Sequence, residues 1–468
     1  MKTQKPEVRR AKNPWALFAM VLLIGACSSS SAPEIQIEGT WLGTLTVDGP
    51  SLRIVVNLTR GTSGAYSGTM DSPDQGSLAI PIDEVTFDGH HVVATMAALS
   101  ARFSGEVSSD DASIVGTFSQ AGQSLALLLR KQPGPLDYRR PQDPIAPYPY
   151  RSQEVTFPNA KAGITLAGTL TWPAGQGPCK AVVLISGSGP NTRNEELVNH
   201  RPFLVLSDAL TRAGLVTLRY DKRGVGQSTG DYAAATSMDF AADAASAVEF
   251  LRTQAYAGIS SIGLIGHSEG GVLAPMAAEG NAAVAFLVLL AGPGVTGDQV
   301  LISQHHAIGL ADGQPASELD AYEAIERRLF DLIAASSDPE TLNEQMRTVL
   351  TAEGVIGKAQ DETVAGMLTP WMRFFITYDP APVLRRTLIP VLALNGSLDL
   401  QVLADLNLPP IEQALRAAGN TRATVRNLPG LNHLFQHATT GSPNEYGSIT
   451  ETLSPDVLAQ ISSWILAL

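Results

Sequence analysis

The residues that most directly suggest chemistry in this chain form the pentapeptide Gly-His-Ser-Glu-Gly at residues 266–270. It follows an apolar run at residues 261–265 and precedes a helix-compatible segment, so the sequence predicts a sharp turn between a strand and a helix. In so tight a turn, a Cβ at either glycine would strike the neighbouring strand or helix. Ser268 would then present its hydroxyl as a nucleophile, and a serine in an ordinary glycine-rich turn is the alternative.

A serine hydroxyl needs a general base at neutral pH, and the base needs a carboxylate that orients it. His433 lies in the loop after the last predicted strand, and Asp399 directly follows the strand predicted at residues 389–395. An ordinary turn aspartate is the alternative for Asp399, with Asp405 as the substitute carboxylate. We interpret Ser268, His433 and Asp399 as nucleophile, base and orienting acid.

Two backbone N–H groups are expected to stabilise the negative charge that develops on a substrate carbonyl oxygen. One belongs to Glu269, next to the serine at the start of a helix. The other is assigned to Ser188, in the Gly- and Ser-rich loop at residues 186–190 after the first predicted parallel strand. This loop lacks the lysine of a phosphate-binding loop, which leaves a flexible turn as the alternative.

The strands that must position these side chains are nearly continuous apolar runs separated by segments of helical length. Such alternation predicts an α/β fold with a mostly parallel sheet and helices on both faces. Right-handed crossovers place the carboxyl ends of the strands on one edge of the sheet, where the candidate residues would meet. The predicted strands lie at residues 154–157, 164–172, 181–186, 215–220, 262–266, 283–290, 389–395 and 424–428.

A region of different periodicity precedes this α/β part. Residues 37–131 alternate with period two and predict an N-terminal antiparallel all-β domain of about eight strands, closed or sandwich-like. We expect its own side chains to fill it, and a ligand-binding barrel is the alternative. Residues 132–152 are rich in proline and predict an extended linker, and residues 153–468 form the predicted catalytic domain.

The N-terminus has the pattern of a secretory signal. Residues 1–26 combine five basic residues with an apolar run too short to span a bilayer, and end in Gly-Ala before Cys27. This ending resembles a bacterial lipobox, which implies a lipid on Cys27 and a flexible tether at residues 27–36. The serine after Cys27 suggests the outer membrane, and ordinary signal cleavage is the alternative.

The amino-acid composition of the chain limits the kinds of molecule that it is expected to bind. A chain with 44% hydrophobic and 16% charged residues can bury a core, which excludes intrinsic disorder. Its formal net charge of −13 gives no attraction to nucleic acid or to anionic lipid, so membrane contact is expected only through the lipid anchor. Two cysteines, Cys27 and Cys179, exclude a disulfide framework and a cysteine-based zinc site. We therefore predict no metal and no cofactor.

These motifs together resemble the α/β-hydrolase superfamily over about residues 154–468. More narrowly, the chain is similar to exported two-domain bacterial carboxylesterases with a β-rich N-terminal module. The resemblance implies an α/β-hydrolase fold and hydrolysis of small carboxylic esters, with short acyl chains, through an acyl-serine intermediate. The segments that carry it are residues 71–76, 186–190, 219–228 and 266–271, with the aspartate and histidine loops.

The resemblance further implies that the insertion at residues 295–382 is a helical lid. Apolar stripes at helical spacing within it are expected to pack the lid onto the sheet. Trp371, Phe374 and Phe375 are candidates for an acyl pocket, because no other part of the chain offers apolar side chains above the strand ends.

Two other functions stay open at this point. The same triad cleaves amides, so a serine aminopeptidase or amidase is one alternative, although we identify no carboxylate placed to bind a substrate amine. A surface-tethered binding protein with a vestigial hydrolase domain is the other. The sequence does not predict the oligomeric state.

Overall fold

The computed structural model describes residues 35–46, 51–175, 177–254 and 258–468. The predicted signal at residues 1–26, the lipidation candidate Cys27 and all but the last two residues of the tether at residues 27–36 lie outside the described residues.

The N-terminal part is a closed antiparallel barrel of eight strands, which confirms the predicted all-β domain and selects its closed form. Each strand pairs with the next, and the first pairs with the last. Alternate side chains such as Ile54, Val56 and Leu58 point inward and pack around the fully buried Trp41. The strands are β1 (Gly39–Thr46), β2 (Ser51–Arg60), β3 (Tyr66–Ser72), β4 (Ser77–Phe87), β5 (His91–Met96), β6 (Ala101–Val107), β7 (Ser113–Gln120) and β8 (Gln123–Lys131).

The proline-rich segment between the two parts runs along the surface of the second. Its residues 132–149 form neither helix nor strand. The Arg140 guanidinium donates hydrogen bonds to the carbonyl groups of Val198, Gly447 and Ile449. These contacts fasten the segment to the C-terminal part of the chain.

The second part is built on an eight-stranded sheet in the order β16-β15-β14-β13-β11-β12-β10-β9. Neighbours from β11 to β16 are parallel, whereas β10 is antiparallel to both β9 and β12, so the predicted mostly parallel sheet is confirmed. The strands are β9 (Tyr150–Asn159), β10 (Ile164–Pro173), β11 (Cys179–Ile185), β12 (Val216–Tyr220), β13 (Ile259–His267), β14 (Val284–Leu290), β15 (Val391–Gly396) and β16 (Ala423–Leu428).

Helices cover both faces of this sheet, because successive strand residues point to opposite sides and both sides are apolar. On one face, Ala181 and Val183 of β11 join a core with α2 (Ser237–Arg252), α3 (Gly270–Ala278) and α10 (Ala404–Ala417). On the other face, Val182 and Leu184 pack with α1 (Pro202–Arg212) and α11 (Pro455–Ala467).

A helical insertion follows β14, as predicted, but its apolar stripes do not mainly pack onto the sheet. Leu329, Leu342 and Met346 belong to a buried cluster whose members all come from the insertion itself. Several amphipathic helices in sequence can bury their stripes against one another, which the pattern of a single helix does not reveal. The helices are α4 (Gly297–Ala311), α5 (Ala316–Ala335), α6 (Pro339–Ala352), α7 (Gly357–Met367), α8 (Pro370–Thr377) and α9 (Ala381–Leu384).

The described residues contain no candidate membrane span and no candidate metal cluster. None of their helices is long and apolar enough to cross a bilayer. No group of three or more His, Cys, Asp or Glu side chains among them is arranged to hold a metal ion.

Candidate active site

Ser268 lies in the turn between β13 and α3, at the carboxyl edge of the sheet. Its φ is +53°, a left-handed conformation that is strained for a residue with a side chain. A Cβ added at Gly266 would lie 1.9 Å from the carbonyl oxygen of Gly270, and one at Gly270 would lie 2.1 Å from that of Ile185. The predicted steric reason for both glycines is therefore present, and the turn leaves Ser268 half-buried at the rim.

His433 and Asp399 meet at the same edge of the sheet. Asp399 follows β15 and His433 follows β16, and Nδ1 of the imidazole lies 2.9 Å from Oδ2 of the carboxylate. Both side chains are buried. The other oxygen, Oδ1, accepts hydrogen bonds from the backbone N–H groups of Gln401 and Val402, each at 2.8 Å. Because a carboxylate only accepts, the Nδ1 proton is fixed and Nε2 is left as the basic atom.

The alternative carboxylate is placed differently. Asp405 is exposed in the first turn of α10. The structure pairs His433 with Asp399 and not with Asp405.

The loop of His433 contacts the turn that holds Ser268. The ring of His267, the neighbour of Ser268, has its centroid 4.8 Å from that of His433. No hydrogen bond joins Ser268 Oγ to His433 within the described ranges. Bonds between a nucleophile and its base commonly tighten only when substrate binds. The contact between the two loops therefore places the turn of Ser268 beside the loop of His433.

The loop that carries Ser188 lies directly beside Ser268. A Cβ added at Gly187 would come within 2.9 Å of the Cβ of Ser268. Neither the backbone N–H of Ser188 nor that of Glu269 donates to another atom of the described protein. Two donors therefore remain free next to the hydroxyl, as an oxyanion site requires.

A buried ion pair behind this loop was not predicted from the sequence. Glu195 Oε1 accepts from the Gly187 N–H at 2.5 Å and from Nδ1 of His267 at 3.1 Å. Burial alone would lower the pKa of His267, but the Glu195 carboxylate and its hydrogen bond raise that pKa above its ordinary value. Glu195 itself has a φ of +52°, so this position combines backbone strain with a buried charge. Its segment has no regular periodicity, and no sequence signal marked it.

The side chain of Glu269 takes part in a buried polar network. Its carboxylate is buried, with Oε2 lying 3.2 Å from Nζ of Lys222. Its Oε1 accepts from the Ser237 hydroxyl and from Nε1 of Trp371, each at 2.7 Å. Lys222 also donates to the carbonyl oxygen of Gly187 at 2.5 Å. This pair therefore joins the loop at residues 186–190, the candidate oxyanion loop, to the turn at residues 266–270, the candidate nucleophile turn. The sequence signal for this pair is the position of Lys222, which lies between the buried strand β12 and the glycine-rich turn that follows it.

The three acyl-pocket candidates on α8 have different neighbours. Trp371 reaches the nucleophile turn through Glu269 and stacks on Phe375, with ring centroids 4.9 Å apart. Phe375 is buried against the start of α4. Phe374 stacks instead on Tyr378, whose ring lines a cavity of about 830 Å³ beside α2 and α3. Of the three, Trp371 is the one that hydrogen-bonds to a described residue of the candidate site.

Known proteins share parts of this sequence. Esterase EstD of Thermotoga maritima is 28% identical over 278 residues, which are 59% of this chain and 59% of EstD. The alignment thus spans less than two thirds of that relative.

Solved structures also resemble the fold. An esterase of Pyrococcus furiosus is 12% identical and matches 68% of this chain and 91% of its own, with a TM-score of 0.42. Est1E from Butyrivibrio proteoclasticus, with ferulic acid bound, is 17% identical over 67% of this chain and 98% of its own, with a TM-score of 0.41.

The sequence model of the alpha/beta hydrolase family matches residues 182–442, a range that runs from β11 through the histidine loop. That range covers more than half of the chain and contains the serine turn, the aspartate loop and the histidine loop. The protein therefore belongs to the alpha/beta hydrolase family.

Proposed function

We propose that this protein is a serine esterase that cleaves carboxylic esters with short acyl chains. The observation that carries the proposal is the buried hydrogen bond between His433 and Asp399, in a loop that contacts the strained turn of Ser268. The likeness to EstD, a protein named as an esterase, supports the choice of ester over other substrates of the family.

In the proposed reaction, Ser268 Oγ attacks the ester carbonyl carbon while Nε2 of His433 takes the hydroxyl proton. Asp399 holds the imidazole and stabilises its positive charge. The N–H groups of Ser188 and Glu269 donate to the oxyanion, and the proton on His433 passes to the departing alcohol. Water then loses a proton to His433 and attacks the acyl carbon, which releases the acid and restores the Ser268 hydroxyl.

The test is hydrolysis of 4-nitrophenyl butyrate by the purified chain without its signal. Ser268→Ala should lower kcat by on the order of 10⁶-fold, because the nucleophile is removed. Ser260→Ala, on the exposed part of the same strand, is the matched control and should retain full activity. Turnover retained by Ser268→Ala would overturn the assignment.

Two further measurements separate the alternatives. A fluorophosphonate probe should label the wild type and not Ser268→Ala, whereas a vestigial hydrolase domain would leave both unlabelled. Aminoacyl 4-nitroanilides assayed beside the esters should be cleaved far more slowly. Faster cleavage of the amides would favour an aminopeptidase.

We also propose that the chain is exported and anchored to the outer membrane by a lipid on Cys27. The basic and apolar pattern of residues 1–26 and the lipobox-like residues before the cysteine support this. Cells fed an alkyne-tagged palmitate should label the wild type but not Cys27→Ala. Cys179→Ala is the matched control, since it removes the other cysteine, and label lost there instead would contradict the proposal.

A further inference from the structure

A cavity enters one end of the N-terminal barrel and stops at its buried core. A cavity of about 1070 Å³ opens at the end of the barrel where β1, β3 and β7 finish and β2, β4 and β8 begin. Beyond it, the other half is filled by a buried core that includes Trp41 and Leu129. The volume matches the upper end of the range, about 300–1,000 Å³, that holds small-molecule ligands. An eight-stranded barrel has room for one such ligand.

The wall of this cavity is mainly apolar. Four of the lining side chains, Leu52, Ile80, Leu99 and Leu125, are only half-buried. The inward-pointing side chains of the wall come from six strands and from the turn between β5 and β6. They are Leu45, Leu52, Ile54, Met70, Ile80, Leu99, Phe118 and Leu125. Exposed apolar surface of this kind is unfavourable in water, so an apolar ligand that covers it would gain binding free energy.

The rim is polar but carries no free positive charge. None of the described residues that line the cavity is basic. Among the described lining residues the one carboxylate is that of Asp74, which already accepts hydrogen bonds from the Arg53 guanidinium. The other polar rim groups are amides and hydroxyls, such as Gln75 and Gln123. Amides and hydroxyls hydrogen-bond neutral head groups, whereas a ligand carboxylate would find no basic side chain among the described residues of the lining.

The catalytic domain closes one side of the opening. Asn444 and Gly447, from the segment after the histidine loop, line the cavity together with Val198. The amide of Asn199 donates to the carbonyl oxygen of Pro73 at 2.5 Å, which fixes the turn between β3 and β4 against this domain. The cavity therefore has walls from both parts of the chain and a defined shape.

From these features we propose that the barrel binds a neutral single-chain lipid, such as a monoacylglycerol. The acyl chain occupies the apolar lumen, and the hydroxyl-bearing head lies at the amide-rich rim. This site is separate from the proposed esterase centre, and the proposal does not depend on hydrolysis.

The test uses two fluorescent probes that share one chain and differ in the head group: cis-parinaroyl glycerol and cis-parinaric acid. Ser268→Ala protein, which cannot consume an ester probe under the proposed function, is titrated with each. We expect saturable one-to-one binding of the glyceride and at least tenfold weaker binding of the acid. No saturable binding, or tighter binding of the acid, would overturn the proposal.

Bulky substitutions locate the bound probe. Leu125→Trp and Ile80→Trp, each made in the Ser268→Ala background, fill the lumen from half-buried positions and should weaken glyceride binding at least tenfold. Val115→Trp is the matched control, because Val115 is 63% exposed on the outer face of β7, and it should bind as before. Equal binding by all three variants would place the probe elsewhere and end the proposal. Competition by unlabelled monoacylglycerol in the Ser268→Ala background tests specific binding without relying on the folding of a tryptophan variant.

Discussion

His267 donates a hydrogen bond from Nε2 to the backbone carbonyl oxygen of His433, 3.0 Å away. Its other nitrogen, Nδ1, faces the carboxylate of Glu195. A carbonyl and an ionised carboxylate both only accept, so these two contacts favour an imidazole with a proton on each nitrogen, in line with its raised pKa. Since Glu195 also accepts from Gly187, one buried ion pair links the oxyanion loop to the loop of the proposed base.

The first prediction concerns the pH dependence of stability. The pKa of folded His267 is raised, so its contribution to folding is fully present below the unfolded pKa of about 6.5. It is lost as the pH rises through the folded value. The groups that face it are Glu195, His433 and, farther away, Asp399.

Urea unfolding of wild type and His267→Gln between pH 6 and pH 9 measures this contribution. The difference in unfolding free energy should be largest near pH 6 and shrink at higher pH. His437→Gln, at an exposed histidine, is the control and should change stability little. A difference that grows with pH would mean that His267 is neutral in the folded protein.

A second prediction distinguishes the two candidate carboxylates. Asp399→Asn keeps the shape of the side chain but removes the acceptor that fixes the imidazole tautomer, so kcat should fall by up to about 10⁴-fold. Asp405→Asn should leave kcat unchanged, because Asp405 is exposed on α10. Measuring kcat of both variants for the hydrolysis of 4-nitrophenyl butyrate distinguishes the two carboxylates. A large loss of kcat in Asp405→Asn with none in Asp399→Asn would assign the orienting role to Asp405.

The third prediction concerns the pair of Lys222 and Glu269. Lys222→Met leaves the Glu269 carboxylate buried without its cation, which should lower the free energy of unfolding by about 3–5 kcal/mol. Adding Glu269→Gln should restore part of the loss, since the amide needs no counter-charge. Arg416→Met, which breaks an exposed pair on α10, should cost no more than about 1 kcal/mol. Urea unfolding compares the three, and a small effect of Lys222→Met would contradict the role given to the pair.

The elements that position the site could be predicted because each candidate lies in the segment that follows a predicted strand. Ser268, Asp399 and His433 come after β13, β15 and β16, and parallel strands bring such positions to one edge. The period of two and the turn residues likewise predict the barrel strands.

Interactions between distant irregular segments could not be predicted in this way. Glu195 lies in a loop without periodicity, 72 residues before His267, and its backbone conformation is strained. Lys222 and Glu269 are 47 residues apart, and neither residue type is common inside a protein unless it is paired. The amphipathic pattern of the lid helices predicts a buried face but not its partner, so the separate lid core was missed.

A fourth prediction separates the acyl-pocket candidates. Trp371 touches Glu269 at the nucleophile turn, whereas Phe374 stacks on Tyr378 away from it. Trp371→Leu should therefore change the ratio of kcat/KM between butyrate and octanoate esters severalfold. Phe374→Leu, a comparable loss of aromatic surface on the same helix, should leave this ratio unchanged. A ratio altered only by Phe374→Leu would place the pocket on the other side of α8.

The last prediction concerns the distance between the oxyanion loop and the nucleophile. Gly187 has no unusual backbone angle, so an alanine there is opposed only by its contacts, chiefly with the Cβ of Ser268 at 2.9 Å. Gly187→Ala should push the loop away and misplace the Ser188 N–H. Loss of one oxyanion donor lowers kcat by roughly 10²–10³-fold.

Gly366→Ala in α7 is the matched control, because a Cβ there meets nothing within 4 Å. It should retain full activity. If Gly187→Ala keeps wild-type kcat while it folds normally, the loop either yields without cost or does not supply the donor. Labelling by a fluorophosphonate probe is a second readout of the same donor, since its phosphoryl oxygen needs that N–H, and it should slow in parallel with kcat.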